Sequence, residues 1–185
     1  TIAGGAELPV AASHLVLATG VTARRLPEMT DTPVMDFDQR SVRSSAPDAA
    51  AGVLIGPGTH IVAQDFRQKR VAVLGGGDNA FENALYAAQH GAASVDVYAR
   101  SVRAQHQFVR QIAPGQVHEG AYSIDPRART VNGRHYDLIM VFYGWEPSTH
   151  FADSLDLRRT AQGYIETDSV MAQTSFPKAY AIGEV

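Results

Sequence analysis

Six residues, Gly75-Gly76-Gly77-Asp78-Asn79-Ala80, carry the pattern in this chain that is most specific for chemistry. They follow an uninterrupted apolar run, Val71-Ala72-Val73-Leu74, and fit G-x-G-x-x-A with Gly75, Gly77 and Ala80 at the small-residue positions. Each small residue has a mechanical task. Gly75 permits a tight strand-to-helix turn, Gly77 lets a diphosphate approach the backbone, and Ala80 lets the helix lie close to the strand. Gly76, Asp78 and Asn79 complete a loop whose free N–H groups sit at the positive end of that helix, where phosphates bind.

A second group lies about twenty residues on, at Ala99-Arg100-Ser101-Val102-Arg103. Dinucleotide-binding units that take NADH usually carry Asp or Glu at this position, accepting hydrogen bonds from the adenosine ribose. A carboxylate there repels a 2′-phosphate, whereas a guanidinium holds one through paired, charge-assisted bonds. Arg100 and Arg103, with Ser101 between them, therefore favour NADPH over NADH. Asp96 falls inside the preceding strand and is misplaced for the ribose role. The competing reading is that both arginines are solvated charges at a strand end.

These residues need elements to position them. Four apolar residues bounded by glycine predict a buried parallel strand at 71–74. Residues 81–89 read as a helix ending near Gly91, and 95–98 as a second strand, which together make a βαβ unit. Elsewhere, residues 13–20 predict a strand ending in a small-residue turn, and 36–45 a short helix. Residues 49–61 read as a small, Gly/Pro-rich stretch and 105–112 as a short helix closed by Pro114-Gly115. Strands are expected at 117–124, 129–131, 135–142 and 179–182. Asp125-Pro126 marks a turn and Asn132-Gly133 a tight hairpin.

Composition bounds the rest. A chain of 185 residues is long enough for one sizeable core, or for one domain and parts of another. Its net charge of −3, with no basic run interleaved with aromatics, argues against nucleic-acid binding. No apolar run approaches the roughly eighteen residues needed to span a bilayer, so no membrane association is expected and a cytoplasmic location is the default. The absence of cysteine excludes disulfides, a cysteine nucleophile and a thiol-based zinc site within the chain. No metal-ligand spacing, Ser/His/Asp set or carboxylate pair is evident, and no residue is assigned a catalytic role. His14 and His60 both lack a partner at useful spacing and read as inert.

Three separated pieces then line up: Ala18-Thr19-Gly20, the 75–80 turn, and Ala179-Tyr180-Ala181-Ile182-Gly183-Glu184. With Gly144-Trp145-Glu146-Pro147 between them, this order resembles the two-dinucleotide-binding-domain flavoproteins of the pyridine nucleotide-disulfide oxidoreductase superfamily, in their thioredoxin-reductase-like branch. The resemblance covers essentially the whole chain. It implies an α/β fold: a Rossmann-like, three-layer NAD(P)H-binding domain with a parallel sheet and an antiparallel β-meander, inserted into an FAD domain. Residues 22–146 would be the insert, with 1–21 and 147–185 as partial FAD-domain segments.

By the same resemblance, Thr19 and Gly20 match a turn that approaches FAD, and Gly183 and Glu184 match a Gly-Asp motif at the flavin's ribityl chain. Glu replaces Asp at position 184. Glu82 matches a glutamate that helps hold the nicotinamide amide; its other reading is an exposed helix carboxylate favoured by the dipole. Arg100 matches the first of two adjacent arginines that read the 2′-phosphate, with Ser101 in place of the second. Gly144 belongs to the segment that returns toward the FAD domain. The redox Cys-x-x-Cys of thioredoxin reductases is replaced by Gly58-Thr59-His60-Ile61.

The expected parent is thus an FAD-dependent NADPH oxidoreductase. Hydride would pass to flavin N5 and on to a non-dithiol acceptor such as ferredoxin, flavodoxin, a quinone or oxygen. A homodimer is compatible with the family. Nothing before Ser13 resembles a strand–GxGxxG–helix, which is read as a chain cut from a longer protein. The alternative is a non-catalytic NAD(P)H-binding or sensing module that has lost FAD binding. A flavin-free Rossmann dehydrogenase ranks last.

Overall fold

A computed structural model describes residues 11–26 and 52–185. The helix expected at 36–45 lies outside the described residues. The chain divides into two compact units, one of Thr1–Thr22 with Trp145–Val185 and the other of Ala23–Gly144.

In chain order, the elements begin with β1 (Leu15–Leu17), β2 (Val21–Ala23), β3 (Val53–Ile55) and helix α1 (Thr59–Val62). Next come β4 (Arg70–Leu74), α2 (Asp78–Gln89), β5 (Ser94–Ala99), α3 (His106–Val109) and β6 (Val117–Glu119). The short strands β7 (Ile124–Asp125), β8 (Thr130–Val131) and β9 (Arg134–His135) precede β10 (Leu138–Val141) and β11 (Trp145–Pro147). A 3₁₀ helix at His150–Leu155 and strand β12 (Ala179–Ala181) complete the set.

The Ala23–Gly144 unit is built on a five-stranded sheet of order β3-β10-β4-β5-β6, parallel throughout. Its central strand β4 is apolar at consecutive positions because both faces are covered, as parallel sheets require. Val71 and Val73 pack with Ala80, Phe81, Ala84 and Ala87 of α2. Ala72 and Leu74 point the other way, into a cluster with Tyr98, Val131, Tyr136, Ile139 and Val141. That second face lies under the antiparallel β7-β8-β9 meander. Helix, parallel sheet and meander are three layers, the α/β architecture expected.

Local chemistry explains the turns. Asn132 and Gly133 both have positive φ, 50° and 76°, as a two-residue type I′ hairpin needs between β8 and β9. Asp125 accepts bonds from the Arg127 and Ala128 amides at 3.0 and 2.9 Å, which closes the preceding turn. The expected strand at 117–124 is interrupted: β6 stops at Glu119, Gly120 has φ 129°, and only Ile124–Asp125 resumes pairing, in a different sheet. The strand expected at 135–142 is likewise two elements, one in the meander and one in the parallel sheet. Strand β3 and helix α1 fall within the stretch read as Gly/Pro-rich connection.

In the other unit, β1 and β12 form a parallel pair in register, Leu15 with Ala179 and Leu17 with Ala181. Leu17 and Ala181 pack with Ala152, Leu157, Ile165 and Val185 into a small core of their own. Among the described residues, no helix is long and apolar enough to cross a membrane.

Candidate functional site

The carboxyl ends of β4 and β5 are where the sequence placed a nucleotide, and the turn there is shaped by backbone crowding. Gly75 has φ 143°, and a Cβ on it would stand 2.4 Å from the Phe142 carbonyl oxygen. The Gly75 amide donates to the Tyr98 carbonyl at 2.9 Å, so the turn is tied to β5 as it leaves β4. Gly76 is tighter still, its Cβ position lying 1.9 Å from the Ser101 carbonyl oxygen. Gly77 differs from both. It has ordinary extended geometry as the N-cap of α2, and a Cβ there would meet nothing within 4 Å. Two glycines are therefore demanded by the fold, and the third leaves open space beside the first amides of the helix.

No side chain caps α2. The amides at its start have no acceptor one turn back, because none exists for the first residues of any helix. The first carbonyl used is that of Gly77, which accepts from Ala80 and Phe81 at 3.1 and 3.4 Å. Ala80 is fully buried against the sheet, so the helix start lies close over β4. Asn79 and Glu82 are exposed on α2. Asp78 has a defined task in this structure: its carboxylate accepts from the Gln105 amide at 2.7 Å and from Gln105 Nε2 at 2.8 Å.

The segment after β5 is pinned across the same turn. Gly76 O accepts from the amides of Arg103 and Ala104 at 2.7 and 2.9 Å. Glu119, at the end of β6, accepts from the Val102 amide at 3.0 Å. Arg100, Ser101 and Arg103 are exposed along this segment, and neither arginine takes part in an ion pair among the described residues. The glycine turn and the arginine segment, twenty residues apart in the chain, are thereby brought into direct backbone contact.

Two tyrosines that sequence reasoning did not single out flank this end of the sheet. Tyr122 donates to the Tyr143 hydroxyl at 3.0 Å and its ring lies 5.8 Å from that of Tyr98. Burial pushes the Tyr122 phenol up, and the Tyr143 bond and the nearby Arg100 charge pull against that shift. Gly144 follows immediately with φ 91°, exposed, its carbonyl accepting from the Arg24 amide at 2.9 Å.

Asp96 is buried inside β5, away from the strand tip. Its Oδ2 accepts from the Tyr136 hydroxyl at 3.0 Å, and its Oδ1 from His118 Nε2, also at 3.0 Å. Arg134 approaches Oδ2 at 3.3 Å. Tyr98 bonds to the Tyr136 hydroxyl at 2.8 Å and stacks on His118 with centroids 4.5 Å apart. Burial is the main cause that drives the Tyr136 phenol well above its usual range. This carboxylate fastens the meander to the sheet.

In the Thr1–Thr22 and Trp145–Val185 unit, the remaining expected residues also converge. The Ile182 amide donates to the Leu17 carbonyl at 2.9 Å, so the β1–β12 ladder continues to its carboxyl end. Thr19-Gly20 and Gly183-Glu184 leave from that end. Thr19 Oγ1 donates to the Ser148 carbonyl at 2.7 Å, and the Ser148 amide to Gly20 O at 3.0 Å. Gly20 and Gly183 have φ 69° and 76° with nothing within 4 Å of a Cβ, and the Glu184 side chain is exposed.

Comparison with known proteins gives a consistent picture. The family model described as pyridine nucleotide-disulphide oxidoreductase matches residues 2–185. A thioredoxin reductase of Chlamydia pneumoniae is 25% identical over 188 residues, covering 92% of this chain and 56% of its own. Thioredoxin reductase 1, mitochondrial, of Arabidopsis thaliana is 28% identical over 200 residues, covering 95% and 50%. The chain thus spans about half the length of the curated relatives it matches. Among solved structures, T. acidophilum thioredoxin reductase superposes with a TM-score of 0.65 at 18% identity, over 94% of this chain and 58% of that one. The Lactococcus lactis thioredoxin reductase in its FR conformation gives 0.64 at 22%, over 92% and 57%. At that identity the structural likeness establishes the fold.

Proposed function

The chain belongs to the pyridine nucleotide-disulphide oxidoreductase family, and from that premise we propose that it is the NADPH-binding portion, with flanking FAD-domain segments, of a flavin-dependent oxidoreductase. The observation that carries this reading is the open face of Gly77 at the start of α2, beside an arginine segment held on the same turn. When bound, NADPH would supply a hydride and FAD would supply an acceptor able to relay electrons one or two at a time.

The residues of this chain have the work of binding and orientation. Gly77 admits the diphosphate to the amides opening α2. Arg100 and Arg103, exposed and without an ion pair among the described residues, meet the 2′-phosphate, and Ser101 adds a hydroxyl donor. Glu82 is assigned to the nicotinamide amide and Gly144 to the edge of the same crevice. Thr19, Gly20, Gly183 and Glu184 are assigned to FAD by their resemblance to the family's FAD-approaching turn and Gly-Asp motif, and the open Cβ directions of Gly20 and Gly183 support that assignment.

The electron acceptor is not a dithiol of this chain, which has no cysteine. His60, on α1, stands in the segment that the resemblance matches to the family's redox pair, and an imidazole carries no electrons. A small electron-transfer protein, a quinone or oxygen fits that chemistry.

Expression from the complete coding sequence tests the proposal. A yellow protein absorbing near ~450 nm, bleached by NADPH under anaerobic conditions, is the expected result. A colourless protein that leaves NADPH unoxidised would overturn it.

A further inference from the structure

Four consecutive backbone amides, those of Val102, Arg103, Ala104 and Gln105, are all engaged, and on three different elements. Val102 donates to Glu119 on β6, Arg103 and Ala104 to Gly76 in the turn, and Gln105 to Asp78 on α2. We propose that Asp78 and Glu119 are positioning residues for nucleotide choice: their carboxylates fix the 101–105 backbone so that Arg100 and Arg103 face a 2′-phosphate, without themselves touching the nucleotide. This rests on the NADPH-binding reading above and adds the residues that set its selectivity.

The amides of residues 102–105 are already engaged and offer an anion no free donor, so the donors left there are side chains, Arg103 together with Arg100 and Ser101 just before it. The two arginine side chains are long and exposed, and binding a phosphate immobilises them at an entropic cost. A backbone held at both ends leaves the separate cost of ordering the loop already met before the ligand arrives, which is how preorganisation raises affinity. Neither carboxylate forms an ion pair with Arg100 or Arg103 among the described residues. They therefore brace the arginines without neutralising them.

Nothing local in the sequence marks Glu119 for this task. It is placed by the parallel register of β5 and β6, which sets it opposite Ala99, one residue before Arg100. The Gly120 amide closes that register onto the Ala99 carbonyl at 2.8 Å. Asp78 reaches the other end of the segment from the first residue of α2.

The test compares dissociation constants for NADPH and NADH, by nucleotide fluorescence, in the unaltered chain and in Glu119→Ala, Glu119→Gln and Asp78→Asn. The ratio of the two constants is the readout, because a general loss of folding moves both together. Glu119→Ala should reduce the preference for NADPH roughly threefold or more, as expected when a preorganised loop is released. Glu119→Gln keeps an acceptor oxygen for Val102 and should retain most of the preference, and Asp78→Asn should lie between. Should Glu119→Ala fail to fold, Gln105→Ala removes the side-chain bond to Asp78 and should lower the preference for NADPH, whereas Gln107→Ala, which removes only the exposed bond that Gln105 Oε1 accepts from Gln107 Nε2, should leave it unchanged.

An unchanged ratio in Glu119→Ala, with NADPH still preferred, overturns the positioning role while leaving the nucleotide site intact. An unaltered chain that binds both nucleotides equally overturns it too. A chain that binds neither overturns the nucleotide-binding reading and this inference together.

Discussion

The α-carbon of Gly76 sits against the Ser101 carbonyl so closely that a Cβ would be 1.9 Å from its oxygen. Both sides of that contact are backbone, so neither can swing aside. Gly76→Ala must separate the turn from the arginine segment and loosen the two bonds that Gly76 O receives. A loss of about 1–3 kcal/mol in stability is expected, as for overpacking elsewhere. Thermal melting checks it, and nucleotide affinity should fall in parallel.

Arg100→Ala should discriminate between nucleotides. Removing one charged hydrogen bond to a 2′-phosphate weakens NADPH by about 1.5–3 kcal/mol. NADH, which lacks the phosphate, should change little. Equal weakening of both, in parallel titrations, would remove Arg100 from the 2′-phosphate role.

Tyr136→Phe tests the buried fastening of the meander. The substitution deletes the hydroxyl that donates to Asp96 and accepts from Tyr98, at 3.0 and 2.8 Å. Leaving these buried groups a partner short should cost about 1–3 kcal/mol, read as a shifted denaturation midpoint. A variant as stable as the parent would show that Asp96 is held adequately by His118 and Arg134.

His60 predicts a pH dependence. Burial lowers its pKa from the usual value, partly offset by backbone hydrogen bonds at Gly56 and Ile55. Its Nε2 is buried with no hydrogen-bond partner among the described residues. The folded state therefore binds fewer protons than the unfolded chain over a window just below the unfolded imidazole pKa of about 6.5. Stability is complete above that value and declines as pH falls through the window. Melting temperature should drop between about pH 7.5 and pH 5.5, and His60→Phe should flatten that part of the profile. A second decline belongs below the ordinary aspartate range. There Asp65, held at about 2 chiefly by its Arg67 side-chain bond, and Asp168, held low by the Met171, Val170 and Gln173 amides, take up protons.

Where the sequence carried local information, the structure was legible from it. The run 71–74, the small-residue turn and the alanine-rich segment are one βαβ unit because glycine demand and apolar continuity both act over a few residues. Asn132-Gly133 announced its hairpin for the same reason. Strand β3 was not visible, since Val53-Leu54-Ile55 is only three residues long and is flanked by glycines that mask it. Glu119, Gln105, Tyr122 and Tyr143 were missed because strand register and loop closure place them, and neither leaves a periodic trace. Asp96 was set aside for the ribose on its position within the strand; its actual partners, His118, Arg134 and Tyr136, lie 22 to 40 residues away.

Gly77→Val examines the binding face most directly. Gly77 has φ −97° and no neighbour within 4 Å of a Cβ, so the backbone accepts a side chain there, at the modest cost of a poorer N-cap for α2. Its branched side chain would instead occupy the space assigned to the diphosphate. The measurement is a fluorescence titration of NADPH and NADH against the unaltered chain and this variant, with melting curves of both. Saturable binding by the unaltered chain, lost for both nucleotides in a variant that still melts cooperatively and only slightly lower, is the expected result. Undiminished binding by the valine variant would place the nucleotide elsewhere and contradict the proposed site.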